Sequence, residues 1–264
     1  MSGRGVDTVL LDLDGTLYEG SRLVPGAPEA VAALRADGLT VRFTTNTDAV
    51  PPAAVAERLA GFGIEAGRDE LVTPVAVAAR LLAGAGGRAL VVASPAVRAE
   101  LAAWLAEPGE RPSHVVVADP SYGATYDDLD RAFQAVAAGA ELVATQVNKV
   151  ARRDDGEHLD TGGWVRLLEY ASGATARVLG KPAPDFFLLP LAALGRSPAS
   201  AVVVGDDPAT DVAAAAAIGA ASVLVATGKG AGAGAGPAAP DARIASVAEL
   251  PALLRGWGAV TGST

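Results

Sequence analysis

Short continuous apolar runs alternate with segments of helical spacing along most of the chain. The first run, Val9-Leu10-Leu11, leads into Asp12-Leu13-Asp14-Gly15-Thr16. Residues 27–36 then read as a helix closed by Asp37-Gly38, 39–44 as a strand, and 51–59 as a helix opened by Pro51-Pro52. A second series starts near Pro74, with helices at 75–82, 97–105, 129–138 and 164–171 and strands at 88–93, 114–118 and 141–144. After Arg177-Val178-Leu179 the pattern gives a helix at 185–194, strands at 201–204 and 222–226, and helices at 212–218 and 247–255. Repeated strand–helix alternation predicts an α/β fold with a doubly wound parallel sheet. Two stretches break the pattern. Residues 145–161 form a long polar loop with Arg152-Arg153-Asp154-Asp155, expected to be functional or disordered. Residues 228–240 are low-complexity Gly/Ala and are expected to be a mobile loop.

Composition narrows the function classes. At 264 residues, with 50% hydrophobic and 19% charged positions, the chain can bury a full core. No apolar run reaches membrane length, and the N-terminal MSGRGVD lacks an apolar signal core, so the expected location is the cytoplasm, with no membrane partner. A net charge of −9 argues against nucleic acid as a partner. Without cysteine there is neither a disulfide nor a thiolate metal site, and two histidines, His114 and His158, nearly exclude histidine-based triads and metal centres. Lysine is scarce, at Lys149, Lys181 and Lys229, so a retained lysine is informative.

Candidate chemistry gathers beyond the C-terminal ends of expected strands, where open α/β sheets hold ligands. The features are Asp12-x-Asp14-Gly15-Thr16, Thr45-Asn46, Lys181 in a loop leading to a helix, and Gly205-Asp206-Asp207. Residues two apart on a strand share a face, so Asp12 and Asp14 can point into one crevice, where a divalent cation relieves their repulsion. Carboxylates from different strands suit a hard cation such as Mg²⁺. A hydroxyl, helix-start N–H groups and a lysine suit a phosphoryl dianion, and a remaining aspartate can act as a nucleophile. These are the parts of phosphoryl transfer. Thr44 competes with Thr45 for the phosphate role, but alternation with Phe43 and the following Asn46 favour Thr45. Asp211 also fits an ordinary aspartate near a helix start. Asn148, Lys149 and His158 read as solvated loop and Trp164 as core. Gly228-Lys229-Gly230 fits no nucleotide fingerprint.

In order and spacing, Asp-x-Asp-Gly-Thr, Thr-Asn, Lys-Pro-x-Pro and Gly-Asp-Asp-x-x-x-Asp resemble the four signatures of the haloacid dehalogenase superfamily over essentially the whole chain. The resemblance implies a Rossmann-like core in two parts, 1–73 and 178–264. Between Thr45 and Lys181 there is room for an inserted α/β cap of the larger C2 type, at 74–177. The branch it resembles is subfamily IIA, the NagD and p-nitrophenylphosphatase-like proteins. Within that branch, Leu168-Glu169-Tyr170-Ala171 and Val178-Leu179-Gly180-Lys181-Pro182 are similar to the phospholysine phosphohistidine inorganic pyrophosphate phosphatase group.

What the resemblance implies is a Mg²⁺-dependent phosphatase acting on a small phosphorylated metabolite. Asp12 is then the nucleophile and Asp14 the acid and base. Mg²⁺ sits on Asp12, the Asp14 main-chain carbonyl and Asp206. Gly15, Thr45, Asn46 and Lys181 bind phosphate, while Asp207 and Asp211 orient the metal surroundings or Lys181. The branch is compatible with a homodimer through the cap. Two departures leave the substrate open: Thr45-Asn46-Thr47-Asp48 stands where the branch commonly has Thr-Asn-Asn-Ser, adding charge near a phosphate site, and Gln146-Val147-Asn148-Lys149 replaces the usual cap sequence. Two other classes compete: a catalytically silent phospho-ligand-binding member of the fold, and a phospho-aspartate receiver, disfavoured by motif order and the inserted segment. A dinucleotide oxidoreductase lacks its glycine fingerprint.

Overall fold

The computed structural model describes residues 5–121, 123–153, 156–232 and 236–258. They form two compact units. The first takes the chain up to Thr45, Val55–Val72, and the chain from Phe186 on; the second takes Asn46–Ala54 and Thr73–Asp185. Residues 46–54 and 178–185, assigned by the sequence to the two-part core, thus cluster with the second unit.

The first unit is built on a six-stranded sheet ordered Ala242–Ile244, Ala221–Val225, Ala201–Gly205, Thr8–Asp12, Thr40–Thr44, Leu71–Val72. Every pairing in it is parallel. Numbered along the unit, the order is 3-2-1-4-5-6, the doubly wound arrangement whose strand order reverses between the first and fourth strands. Thr8–Asp12, Ala201–Gly205 and Ala221–Val225 are buried at every position, as parallel strands covered on both faces must be. The register sets Leu11 beside Val204 and Asp12 beside Thr44. Val9, Leu11, Val41, Phe43, Val202 and Val204 belong to the core cluster beneath.

The second unit has its own parallel sheet, ordered Arg177–Val178, Glu141–Ala144, His114–Val117, Ala89–Val92. Helices Tyr126–Ala137 and Thr161–Ser172 supply Ala132, Val136, Val165 and Leu168 to its core, with Trp164 packed against it as expected. The polar stretch 145–161 is not a plain loop. Val150–Arg153 and Gly156–Leu159 pair as an antiparallel hairpin; Asp154 and Asp155 lie outside the described residues. Among the described residues, no helix is long and apolar enough to cross a membrane.

Candidate active site

Strand Thr8–Asp12 carries Asp12 to the reversal point of the sheet and ends there. The chain then turns tightly: the Leu13 carbonyl accepts the N–H groups of Thr16 (3.1 Å) and Leu17 (2.8 Å), and Gly15 N–H donates to the Tyr18 carbonyl (2.7 Å). Gly15 makes this turn at φ +84°, a left-handed conformation that a Cβ disfavours. Asp12 is buried, and the Thr16 hydroxyl donates to its Oδ2 (3.3 Å). Asp14 is exposed, with Oδ1 accepting from the Gly20 N–H (3.1 Å). The two aspartates of the first motif thus occupy different environments, one dry and one wet.

The neighbouring strand Ala201–Gly205 delivers Asp206, and the π-helical turn Pro208–Val212 swings Asp211 back beside it. Carboxylate oxygens of Asp12, Asp206 and Asp211, all three buried, lie within 4.8 Å of one another. Glycines make this approach possible. A Cβ on Gly15 or Gly228 would collide with the Asp206 carboxylate, and one on Gly205 with that of Asp211. Three buried carboxylates this close, cradled by backbone without side chains, form the all-oxygen donor set of a hard divalent cation. The residues present fit such an ion.

The electrostatics agree. Burial pushes the Asp206 carboxyl up, opposed by the Lys229 N–H bond and reinforced by the charges of Asp211 and Asp207. Asp207 is also burdened by burial, yet its hydrogen bond to the Lys229 ammonium (2.7 Å) and other donors hold it below the usual range. Burial pushes the Tyr18 phenol up to about 12, against the pull of Arg58 and with help from the charges of Asp14 and Asp12.

The Gly/Ala run is where expectation and structure part. Gly228–Gly232 forms a 3₁₀ turn on the acidic cluster rather than a mobile loop; 233–235 lie outside the described residues. Lys229 N–H donates to Asp206 Oδ2 (2.7 Å), Gly228 N–H to Glu19 Oε1 (2.8 Å), and the Thr227 hydroxyl to the Gly15 carbonyl (2.5 Å). Low complexity suggested mobility, but these small residues are what close packing against Asp206 requires.

A family model of haloacid dehalogenase-like hydrolases matches residues 9–104, and a HAD-hydrolase-like model matches 178–250. The chain is 33% identical over 229 residues to a phospholysine phosphohistidine inorganic pyrophosphate phosphatase of Xenopus laevis, covering 83% of each. The chain belongs to the haloacid dehalogenase-like hydrolases, subfamily IIA. This hydrolase is also 35% identical over 221 residues to haloacid dehalogenase-like hydrolase domain-containing protein 2 of Mus musculus, covering 84% of each. Among solved structures it is similar to NagD from E. coli K-12, with TM-score 0.82, 26% identity and coverage of 94% of this chain and 98% of that one. It shares its fold with a p-nitrophenyl phosphatase from Archaeoglobus fulgidus (TM-score 0.83, 24% identity, 96% of this chain and 100% of that one).

In this hydrolase the structure brings together Asp12, Asp206 and Asp211, with Gly15 and Asp207 alongside. Asp211, which the sequence placed one step outward, stands level with the other two carboxylates. Thr45 is buried just past strand Thr40–Thr44, its N–H on the Val72 carbonyl (3.1 Å). Thr44 is fully buried, and its hydroxyl has no hydrogen-bond partner among the described residues. Asn46 and Lys181 belong to the second unit, where they are bonded to each other: Asn46 Oδ1 accepts the Lys181 N–H (2.7 Å) and Asn46 Nδ2 donates to the Lys181 carbonyl (3.0 Å). Lys229 is one of the scarce lysines and fits no nucleotide fingerprint; the structure instead puts its main-chain N–H on Asp206 and its ammonium on Asp207.

Proposed function

We infer that this hydrolase is a Mg²⁺-dependent phosphatase that cleaves the monoester of a small phosphorylated metabolite through an aspartyl-phosphate. The observation that carries the reading is the buried Asp12–Asp206–Asp211 cluster at the reversal point of a sheet that belongs to this family. The phosphatase names of a relative and of a structural neighbour support it. A divalent metal held by Asp12, Asp206 and the Asp14 carbonyl, with Asp211 in the same cluster, supplies positive charge against the charge that builds on the phosphoryl oxygens. An Asp12 carboxylate oxygen attacks phosphorus in line, and the ester P–O bond breaks as Asp14, on the wet side of the turn, gives its proton to the leaving oxygen. Asp14, now ionised, takes a proton from water; the resulting oxygen attacks the aspartyl-phosphate, and Asp12 returns to a carboxylate as inorganic phosphate forms. Thr45, Lys181 and the backbone N–H groups of Gly15 and Asn46 bind the phosphoryl oxygens in this reading, with Asp207 behind them. A cytoplasmic location, a homodimer through the second unit, and no nucleic-acid partner complete it.

The test is phosphate release from p-nitrophenyl phosphate and a panel of metabolite phosphates, with Mg²⁺ or EDTA, for the natural chain and Asp12→Asn. Turnover that needs metal and is lost in Asp12→Asn supports the reading. A folded, metal-supplied protein that turns over no ester overturns it in favour of a binding-only member of the fold.

A further inference from the structure

Asp48 has surroundings that are unusual for a carboxylate. It is buried in the second unit with Oδ2 2.6 Å from Thr145 Oγ1 and 2.9 Å from Thr161 Oγ1, and Oδ1 3.5 Å from Gln146 Nε2. Two further carboxylates, Asp160 and Asp119, bear on it electrostatically, and Asp160 takes the shorter bond from Gln146 Nε2 (2.6 Å). Among the described residues, the groups acting on it are hydroxyls and carboxylates rather than a cation. A buried carboxylate supported by two threonine hydroxyls rather than a positive charge is costly to keep. It calls for a role.

The contacts close into a ring. Thr145, which grips Asp48, also presents its main-chain carbonyl to Gly180; a Cβ on Gly180 would lie 2.5 Å from that carbonyl and 2.8 Å from Asn46 Oδ1. Next along, Lys181 has both its N–H and its carbonyl held by the Asn46 side chain. Leu179 N–H reaches the Ala144 carbonyl (2.8 Å), so the chain entering Lys181 is fixed to the same strand end that holds Asp48. Asn46 and Asp48 are two residues apart. Fixing Asp48 on Thr145 and Thr161 therefore fixes where the Asn46 amide meets Lys181.

We propose that Asp48 is a positioning residue that acts through Asn46 to hold the main chain of Lys181, and so sets the aim of its ammonium at the phosphoryl group. The proposal rests on the phosphoryl-binding role given to Lys181 above. The hydroxyl ring, not the negative charge, carries the function. Asparagine at 48 can serve both threonines, because an amide nitrogen donates two hydrogens and its oxygen accepts two.

The experiment combines two readouts on the natural chain, Asp48→Ala, Asp48→Asn and Asn46→Ala. Hydrogen exchange at the Lys181 amide reads the ring directly, and steady-state kinetics on p-nitrophenyl phosphate with Mg²⁺ read its consequence. Losing the clamp is expected to speed exchange about tenfold in Asp48→Ala and Asn46→Ala. It is expected to raise KM about tenfold while kcat changes less than about twofold, the pattern of lost binding shared by ground and transition states. Asp48→Asn is expected to match the natural chain in both. Natural exchange and KM in Asp48→Ala overturn the proposal, and so does an Asp48→Asn as defective as Asp48→Ala, which would assign the effect to charge. If the natural chain hydrolyses no ester, the phosphatase reading fails and the exchange arm alone decides the ring. Should Asp48→Ala not fold, Thr161→Val removes one hydroxyl from the same oxygen and is expected to shift both readouts partway in the same direction.

Discussion

Asp48 also has a consequence for stability that can be worked through with its sign. Burial pushes its carboxyl from 3.8 up to about 6, with the Thr145 and Thr161 bonds opposing and the charges of Asp160 and Asp119 adding. Between those values the folded chain holds a proton that the unfolded chain has released. Stability therefore falls as pH rises through that window and levels off above it. At 1.36 kcal/mol per unit, the shift corresponds to about 3 kcal/mol. Asn at this position has no proton to lose. The unfolding free energy of Asp48→Asn minus that of the natural chain is thus expected to grow by about 2 kcal/mol between pH 4 and pH 7, the rest of the shift lying below pH 4. Urea unfolding of both proteins at pH 4, 5, 6 and 7 measures it, because the other carboxylates are common to both and drop out of the difference. A difference that stays flat across this range refutes the reasoning, and one that shrinks with pH refutes its sign.

Other outcomes follow from the first unit. Gly15→Ala forces a Cβ into the Asp206 carboxylate at positive φ, at about 1–3 kcal/mol of strain; it is expected to lower metal affinity, read by calorimetry, beyond any change in melting temperature. Lys229→Met removes the exposed ammonium from Asp207 while leaving the Lys229 N–H bond to Asp206 available. Mg²⁺ affinity is expected to rise about two- to fivefold at low salt, the range of an exposed pair, and weaker binding would contradict the electrostatic picture. Thr44→Val removes a buried hydroxyl that has no partner among the described residues and is expected to gain about 1 kcal/mol in urea unfolding with kcat unchanged. A loss of activity instead would give Thr44 the phosphate role assigned to Thr45.

The sequence made the long elements legible because they carry their own signals. Glu141–Ala144 is found where expected, and Ala27–Ala36 closes at Asp37-Gly38 as read. Leu71–Val72, Arg177–Val178 and Ala242–Ile244 were missed because strands of two or three residues have no period; their pairing comes entirely from tertiary neighbours. The helix expected at 212–218 begins as a π-helical turn at Pro208, and that wider turn carries Asp211 into the cluster. No residue pattern marks it. Asp48 was read as charge near a phosphate site, whereas its burial against Thr145 and Thr161 depends on partners about a hundred positions away.

The strand order has a consequence for how the protein is made. Thr8–Asp12 leaves the ribosome before both strands that flank it, and Thr40–Thr44 soon covers one of its edges. Its other edge is paired by Ala201–Gly205. At cellular translation rates the wait for about 190 residues lasts roughly 10–40 s. Throughout that time an apolar central strand has an open backbone edge, the kind of surface on which nascent-chain binders and like strands dock. The Asp12–Asp206–Asp211 cluster forms in one late step, because Asp206 and Asp211 emerge with the same segment that closes the edge.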